Sequence, residues 1–419
     1  MSKIRLISKT GDALALLGRL ADEGNGVSFW VKDKKAKDSY KGMLPQVDSW
    51  NSKLSSKDTI ILLDMVGFGA IADNLKKNGF KVYGGGKLND SLELNREFGM
   101  KIARSSGLKV PKWERFNSFD KAKDFVADNE KSFVFKPQNN QSPAFTYVSS
   151  DGEDMVEMLA YFGSIWSGKV DFILQEKIEG VEVSIERFYL DGEPVPNTLN
   201  STLECKKFLE GDKGVNTGCM GSVVRFWKKP NPKLYKLTLQ KAEPFLKRFK
   251  YSGPLDCNCI ICEKDKMPYF LEWTARFGYN ALSALCEGLN QDVGSFIEGI
   301  LNGGVSKPSY DWLGAVRVSI PPYPSELGAD KSANKPIRGI DDMEHIWLLD
   351  VKYQNGRLLS AGVDGVVAEV TGKNTTLSGL ATDIYGIVEK MKIPDKQYRA
   401  DIISNAEKRI NILKEWKYV

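Results

Sequence analysis

Apolar residues recur along this chain with two periods, and the alternation between them predicts its elements. Residues 4–8 read as a strand, and residues 12–23 follow with Leu14, Leu17 and Leu20 at helical spacing. Residues 27–31 predict a second strand and 59–64 (TIILLD) a buried third. A helix carrying Ile71 and Leu75 and a strand over 81–83 complete the alternation of a small doubly wound α/β unit. Gly84, Gly85 and Gly86 read as a linker behind it.

Further on, 92–106 predicts one amphipathic helix, 119–129 a second and 132–136 (SFVFK) a strand. A helix over 151–162, a strand over 172–178 and a strand pair, 183–189 and 194–199 turned at Asp191-Gly192, come next. Residues 233–249 read as one long helix, and 255–262 with 268–274 as a hairpin around a charged turn. A helix over 292–301 leads into a β-rich stretch with strands at 315–320, 346–353, 358–363 and 366–370. Helices over 377–390 and 401–417 close the pattern, with no internal repeat.

Composition narrows the classes. A chain of 419 residues has room for two or three domains of about 150 residues. Net charge of +5, from 59 basic and 54 acidic residues, tolerates anionic ligands without arguing for nucleic acid. The start MSKIRLIS runs straight into a strand pattern, with neither a signal peptide nor an apolar run long enough to span a membrane. With six scattered cysteines, a cytoplasmic location is expected. Cys257, Cys259 and Cys262 lack a fourth ligand at zinc spacing. The single histidine, His345, beside Ile346 and Trp347, reads as a packed or surface side chain, which leaves histidine-based catalysis poorly supported.

Two stretches concentrate the candidate chemistry. EGDKGVNTGCMGS (210–222) predicts a turn-rich loop with Asn216 and Thr217 at its apex, where glycines let backbone N–H groups approach a ligand. YFLEWTARFG (269–278) predicts a buried strand that exits on Glu272 and Arg276, an acid and a guanidinium able to hold a metal and an oxyanion together. Singly, such a loop is commonly a hairpin and such a pair commonly a surface ion pair. The flanking residues change the picture. Lys136 ends the SFVFK strand within reach of phosphate oxygens. LQEKIEGVE (174–182) offers strand-exit backbone groups to an adenine edge and Glu182 to ribose hydroxyls. Asp256 and Glu272 fall on adjacent strands of one predicted hairpin, the paired acids that Mg²⁺ with a polyphosphate requires.

In this order, Lys136, QEKIEGVE, GVNTGCMG and EWTARFG resemble the motifs of ATP-grasp ligases, and more narrowly the glycinamide ribonucleotide synthetase (phosphoribosylamine–glycine ligase) family, with its PNTGGMG-type loop and EFNCRFG-type metal strand. KVYGGG with the helix through Arg96, and VVAEVTGKNTTLSGLATDIYGIV with RADI at 399–402, extend the resemblance over nearly the whole chain. It implies an α/β fold in three parts: a small N-terminal doubly wound α/β domain (1–88), an ATP-grasp domain of two α+β subdomains (89–308, lid about 112–178) and a C-terminal α+β domain (309–419). It also implies an ATP-dependent, ADP-forming carbon–nitrogen ligase of purine biosynthesis. The expected cofactors are ATP and Mg²⁺. The expected partners are a small carboxylate, glycine or another amino acid, and an amine acceptor, with the protein a monomer or homodimer and neither membrane nor nucleic acid involved.

Carried over by position, Arg96 and Lys136 would bind phosphates, Glu176, Lys177 and Ile178 would contact adenine, and Glu182 would hold ribose. Lys206 and the stretch Asn216, Thr217, Gly218, Cys219, Met220 and Gly221 would border the acceptor and acyl-phosphate region. Glu272, with Asp256 and Thr274 beside it, would bind the metal, and Arg276, with Lys206, would act in catalysis on the phosphate or carboxylate. Four departures stand out. Thr274 replaces the family's second metal ligand, an Asn, and the lid PQNNQSPAFTYV (137–148) has no glycine, leaving Asn139, Asn140 and Ser142 to substitute for its amides. Tyr279-Asn280-Ala281 stands where the family has DPE, and KTGDALA (9–15) where it has a GGREHA-type phosphate cradle. Asp12 there would repel a phosphate. Two alternatives stay open on these grounds: a ligase with a different amine acceptor, and a non-catalytic relative that binds nucleotide or a partner.

Overall fold

Alternating apolar runs set up the first unit as expected. β1 (Lys3–Ser8), α1 (Leu14–Asp22), β2 (Gly26–Val31), β3 (Ile60–Leu63), α2 (Gly69–Lys77) and β4 (Lys81–Tyr83) form a four-stranded parallel sheet in the order β2-β1-β3-β4. In such a sheet the crevice beyond the carboxyl ends of the two central strands is where ligands sit. Here those ends are Ser8 and the residue after β3, Asp64. The computed structural model of the protein describes residues 2–52, 54, 56–129, 131–138, 145–325, 327–340 and 343–419.

Gly84 to Gly86 are packing residues. A Cβ at Gly85 would lie 2.2 Å from the Cβ of Asn89, and the Asn89 amide reaches Ala275 O at 3.1 Å, fastening the first unit to the metal-strand exit. The helix expected over 92–106 is two, α3 (Lys87–Leu94) and α4 (Arg96–Ser105), because the Asn95 side chain accepts the Phe98 N–H and starts a new helix. A lid follows: β5 (Trp113–Phe116), α5 (Phe119–Ala127), β6 (Phe133–Pro137), β7 (Tyr147–Val148), α6 (Gly152–Ile165) and β8 (Phe172–Glu176), with sheet order β5-β8-β6-β7. It has its own core, in which Phe119, Phe135, Phe162 and Phe172 stack.

The remaining strands build one large antiparallel sheet. They are β9 (Gly180–Leu190), β10 (Glu193–Pro194), β11 (Asn200–Leu209), β12 (Lys213–Phe226), then, after α7 (Lys233–Leu237) and α8 (Leu239–Arg248), β13 (Gly253–Cys262) and β14 (Pro268–Thr274). α9 (Tyr279–Glu287) and α10 (Val293–Leu301) lead to β15 (Trp312–Ser319), β16 (Ile346–Leu348), β17 (Val351–Gln354), β18 (Arg357–Ser360) and β19 (Val366–Asn374), and α11 (Leu377–Lys390) and α12 (Ile402–Glu415) close the chain. The nine-stranded sheet runs β14-β13-β9-β11-β12-β15-β19-β16, with β10 on β9, so it continues without a break across residue 309. β17 and β18 pair separately.

Three local expectations change. The partner expected for β9 at 194–199 is reduced to β10, and β11 takes its place in the sheet. The helix expected over 233–249 breaks at Thr238, whose hydroxyl donates to Leu234 O at 2.6 Å and competes with the helical ladder. The strand expected over 346–353 splits at Asp350, which turns inward to cap a loop.

Candidate functional site

Cross-strand partners share a face of a sheet, and register puts two polar rows on one face here. Thr274, Asp256, Glu186 and Asn200 make one row; Glu272, Asn258, Ser184 and Thr202 make the next. Alternation in STLECKK adds Glu204 and Lys206.

Lys206 is the hub. Its Nζ lies 2.7 Å from Glu182 Oε1, 3.7 Å from Glu204 Oε2 and 3.7 Å from Glu272 Oε1. Burial opposes its charge, but these three carboxylates outweigh burial and hold it well above the ordinary lysine value. Glu272 is likewise opposed by burial yet held below the usual carboxylate range by Lys206, Arg96, Lys136 and Arg276. Four cations therefore act on Glu272, within a cluster where Glu182 and Glu204 also face Lys206. Glu204 went unnoticed in the motif reading; its signal is its place two residues before Lys206.

Lys136 is buried at the end of β6, and its Nζ donates to Gln175 Oε1 at 2.7 Å. Burial, then repulsion from Arg96, pushes its pKa down to about 7. Arg96 opens α4, its own pKa lowered by burial despite Glu272. Glu176, Lys177 and Ile178 leave the lid sheet as expected, but the Lys177 N–H already donates to Ser132 O at 3.1 Å, so the N–H of this hinge is spent inside the lid. Glu182 is paired with Lys206, and a ribose would compete with that bond. Asn139, Asn140 and Ser142 lie outside the described residues.

On the metal row, Thr274 faces Asp256, while Glu272 faces Asn258. Asp256 is thus one step along from Glu272, and Asn258 is the closer neighbour that the hairpin reading missed. Asn258 Oδ1 and Asp256 Oδ1 are buried without a hydrogen-bond partner among the described residues. Burial, then Glu186 and Glu204, raises the Asp256 pKa well above its ordinary value. Among the described residues no three His, Cys, Asp or Glu side chains converge as a metal cage. Oxygen-only donors with few carboxylates do fit Mg²⁺, which takes one or two protein carboxylates and completes its shell from phosphates and water. Arg276 is gripped by Glu93, Nε to Oε1 at 2.9 Å, with the Ala275 N–H on the other carboxylate oxygen at 2.8 Å. Glu93, like Glu204, was not singled out in the sequence.

The glycine-rich stretch is corrected most. Residues 213–226 are strand β12, folded back on β11 with irregular register at Cys205–Leu209. Residues 221–224 pair with both β11 and β15, while 217–220 fall in the register irregularity between Asn216 and Gly221. Asn216 Nδ2 donates to Thr146 O at 2.9 Å, tying the strand to the lid, and Thr217 Oγ1 donates to Lys206 O at 2.8 Å. Cys219 and Met220 are 1% and 0% exposed, so their side chains belong to the interior. Gly221 presses on Ala315 O, 2.6 Å from where a Cβ would lie. Asn216, Thr217 and Gly218 do border a cavity of about 430 Å³ together with the turn after β1.

His345 Nδ1 contacts Glu287 at 3.0 Å, far in sequence from the Lys206 cluster, and all six cysteines are free thiols.

A lid sheet and a large antiparallel sheet with a carboxylate-and-lysine face between them make up the ATP-grasp fold. Residues 94–281 match the family model described as phosphoribosylglycinamide synthetase, ATP-grasp (A) domain. The chain resembles phosphoribosylamine–glycine ligases along its length. It is 25% identical to that of Caldanaerobacter subterraneus subsp. tengcongensis over 350 residues, 79% of this chain and 81% of the relative. With that of Clostridium acetobutylicum it shares 22% identity over 424 residues, 96% and 99% of the two chains. The crystal structure of the Thermotoga maritima phosphoribosylamine–glycine ligase has a TM-score of 0.73 at 19% identity, covering 95% of this chain and 99% of that one. The resemblance carried by the motifs is borne out. No described helix is long and apolar enough to cross a membrane.

Proposed function

We propose that the protein is an ADP-forming carbon–nitrogen ligase of the phosphoribosylamine–glycine ligase type. A carboxylate oxygen attacks the γ-phosphorus of ATP, ADP leaves, and an amine then displaces phosphate from the acyl phosphate while the nitrogen gives up a proton. The observation that carries this reading is the contact of Lys206 with Glu182, Glu204 and Glu272 on one sheet face, with Arg96, Lys136 and Arg276 close enough to act on the Glu272 charge. No protein nucleophile is needed; orientation and charge stabilisation supply the rate.

In this reading Arg96 and Lys136 hold the phosphates, and the Glu176–Ile178 exit strand holds the base. Glu182 holds the ribose, releasing Lys206 toward the transferring phosphoryl group. Glu272, with Asn258 and Asp256 alongside, would hold Mg²⁺, which when bound offsets charge on the phosphate oxygens. Arg276, fixed by Glu93, steadies the carboxylate or its acyl phosphate. Thr274 plays little part. The test is ADP release with ATP, Mg²⁺ and glycine, with phosphoribosylamine as the first amine because of the resemblance. ADP release dependent on both a carboxylate and an amine supports the reading; tight ATP binding without any such turnover makes the protein a nucleotide-binding relative instead.

A further inference from the structure

Beside the nucleotide cleft, the cavity of about 430 Å³ is lined, among the described residues, by five carboxylates, Asp12, Asp33, Asp350, Asp364 and Glu369, against two cations, Lys35 and Arg317. Arg317 Nη2 is bonded to Glu369 Oε1 at 3.0 Å, which neutralises one of those cations in place. A phosphate entering this space would meet a surplus of negative charge across low-dielectric walls.

Several backbone groups that could receive a phosphate are also taken. At the turn from β1 into α1 the Gly11 N–H, at a φ of +94°, donates to Ser8 Oγ at 2.7 Å. The Ala13 N–H donates to Asp64 Oδ2 at 3.2 Å, and Ser8 Oγ donates to the same oxygen at 2.5 Å. The carboxylate of Asp64 thus sits where a helix N-terminus would otherwise hold an anion. A second ring of amides is filled in the same way. Asp350 Oδ2 accepts from the N–H groups of Gly362 (3.2 Å), Val363 (2.7 Å), Asp364 (3.3 Å) and Gly365 (3.2 Å). Its other oxygen, Oδ1, has no partner among the described residues, although Asp350 is only 5% exposed and lines the cavity. A buried carboxylate oxygen left without a donor asks for one from a ligand.

We propose that this cavity takes an acceptor amine that enters as a cation and carries no phosphate, with Asp350, Asp364 and Asp12 receiving its ammonium. This rests on the ligase reading and names the substrate class at that site. The state of the acids agrees with it. Burial, then Asp12, pushes the Asp64 carboxyl up to about 7, and burial, then Asp350, does the same to Asp364. Such crowding is relieved by a bound cation and worsened by a bound anion.

The experiment is calorimetric titration of the full chain preloaded with Mg²⁺ and AMP-PNP. Two matched pairs serve as probes: glucosamine against glucosamine 6-phosphate, and ethanolamine against phosphoethanolamine. The expected result is at least tenfold tighter binding of an unphosphorylated amine than of its phosphate, lost or reversed in an Asp12→Asn/Asp364→Asn double variant whose AMP-PNP affinity is unchanged. Equal or tighter binding of the phosphates, a preference that survives in the variant, or no binding of any probe to the loaded protein overturns the proposal. Failure of wild type to bind AMP-PNP would instead bring down the ligase reading, so the two failures are distinguishable.

Discussion

At the scale of single residues, the cluster around Lys206 trades stability for binding. Lys136 is buried with a pKa of about 7, so its folded-state value is depressed relative to an unfolded lysine. For such a group the destabilisation is full below about 7, where both states are charged, and fades as pH rises toward the unfolded value. Lys136→Met is expected to raise the melting temperature of the ligand-free protein most at pH 6 to 7. The same change is expected to weaken ATP binding by roughly 1.5–3 kcal/mol, the range for a charge-assisted bond. In wild type, ATP affinity should fall from pH 7 to 9, because free Lys136 loses its proton there and phosphate needs the ammonium; the Met variant should lack that component. Titrations across pH in both proteins check the sign. Glu272→Gln removes the acid at the centre of four cations and is expected to lower turnover about 10²–10³-fold with the fold retained. Asn258→Leu, next to it, should raise the Mg²⁺ requirement about tenfold while Asn258→Asp does not. An unchanged Mg²⁺ dependence in Asn258→Leu would leave Glu272 without that neighbour.

At the scale of elements, β12 is the piece on which the architecture depends. It pairs with β11 on one side and β15 on the other, and so joins the strands of the lid-facing half to those of the C-terminal third. Gly221 makes this possible, since a Cβ there would lie 2.6 Å from Ala315 O and 3.0 Å from Ile402 Cγ1. Gly221→Ala must push β15 or α12 away. It is expected to destabilise by about 1–3 kcal/mol, as overpacking of a tight interior does, visible as a lower denaturation midpoint. Gly67→Ala, where a Cβ would meet nothing within 4 Å, is the control for a glycine kept only for its backbone angle.

At the scale of the whole molecule, the lid has a core of its own and joins the body core through Ile173 of β8. The lid cluster around Phe135 and Phe172 shares no member with the large cluster that runs from Ile4 to Tyr418. The groups proposed to hold nucleotide come from both: Lys136 and Glu176 from the lid, Lys206 and Glu272 from the body. Nucleotide binding should therefore tighten the coupling between lid and body. Hydrogen exchange with and without Mg²⁺ and a non-hydrolysable ATP analogue is expected to show protection over β6 and β8 and over β11 and β14. The parallel sheet of β1 to β4 should be unaffected. Protection confined to the lid would mean that Lys206 and Glu272 do not take part in holding nucleotide.

The sequence by itself determined what local chemistry determines. The parallel N-terminal unit, the β13–β14 hairpin, helices such as α11 and the strand ends at Lys136 and Glu272 follow from periodicity, turns and strand exits, all set within a few residues. Tertiary structure decided the rest, because it depends on residues far apart in the chain. A glycine-rich stretch reads as a loop until two partner strands claim its backbone, as β11 and β15 claim β12. Cys219 and Met220 look like part of a binding loop until the sheet turns them inward. Asn258 gains meaning only when register sets it opposite Glu272. Asp64 and Asp350 read as parts of predicted strands in the sequence; only folding places their carboxylates against the amides of distant turns.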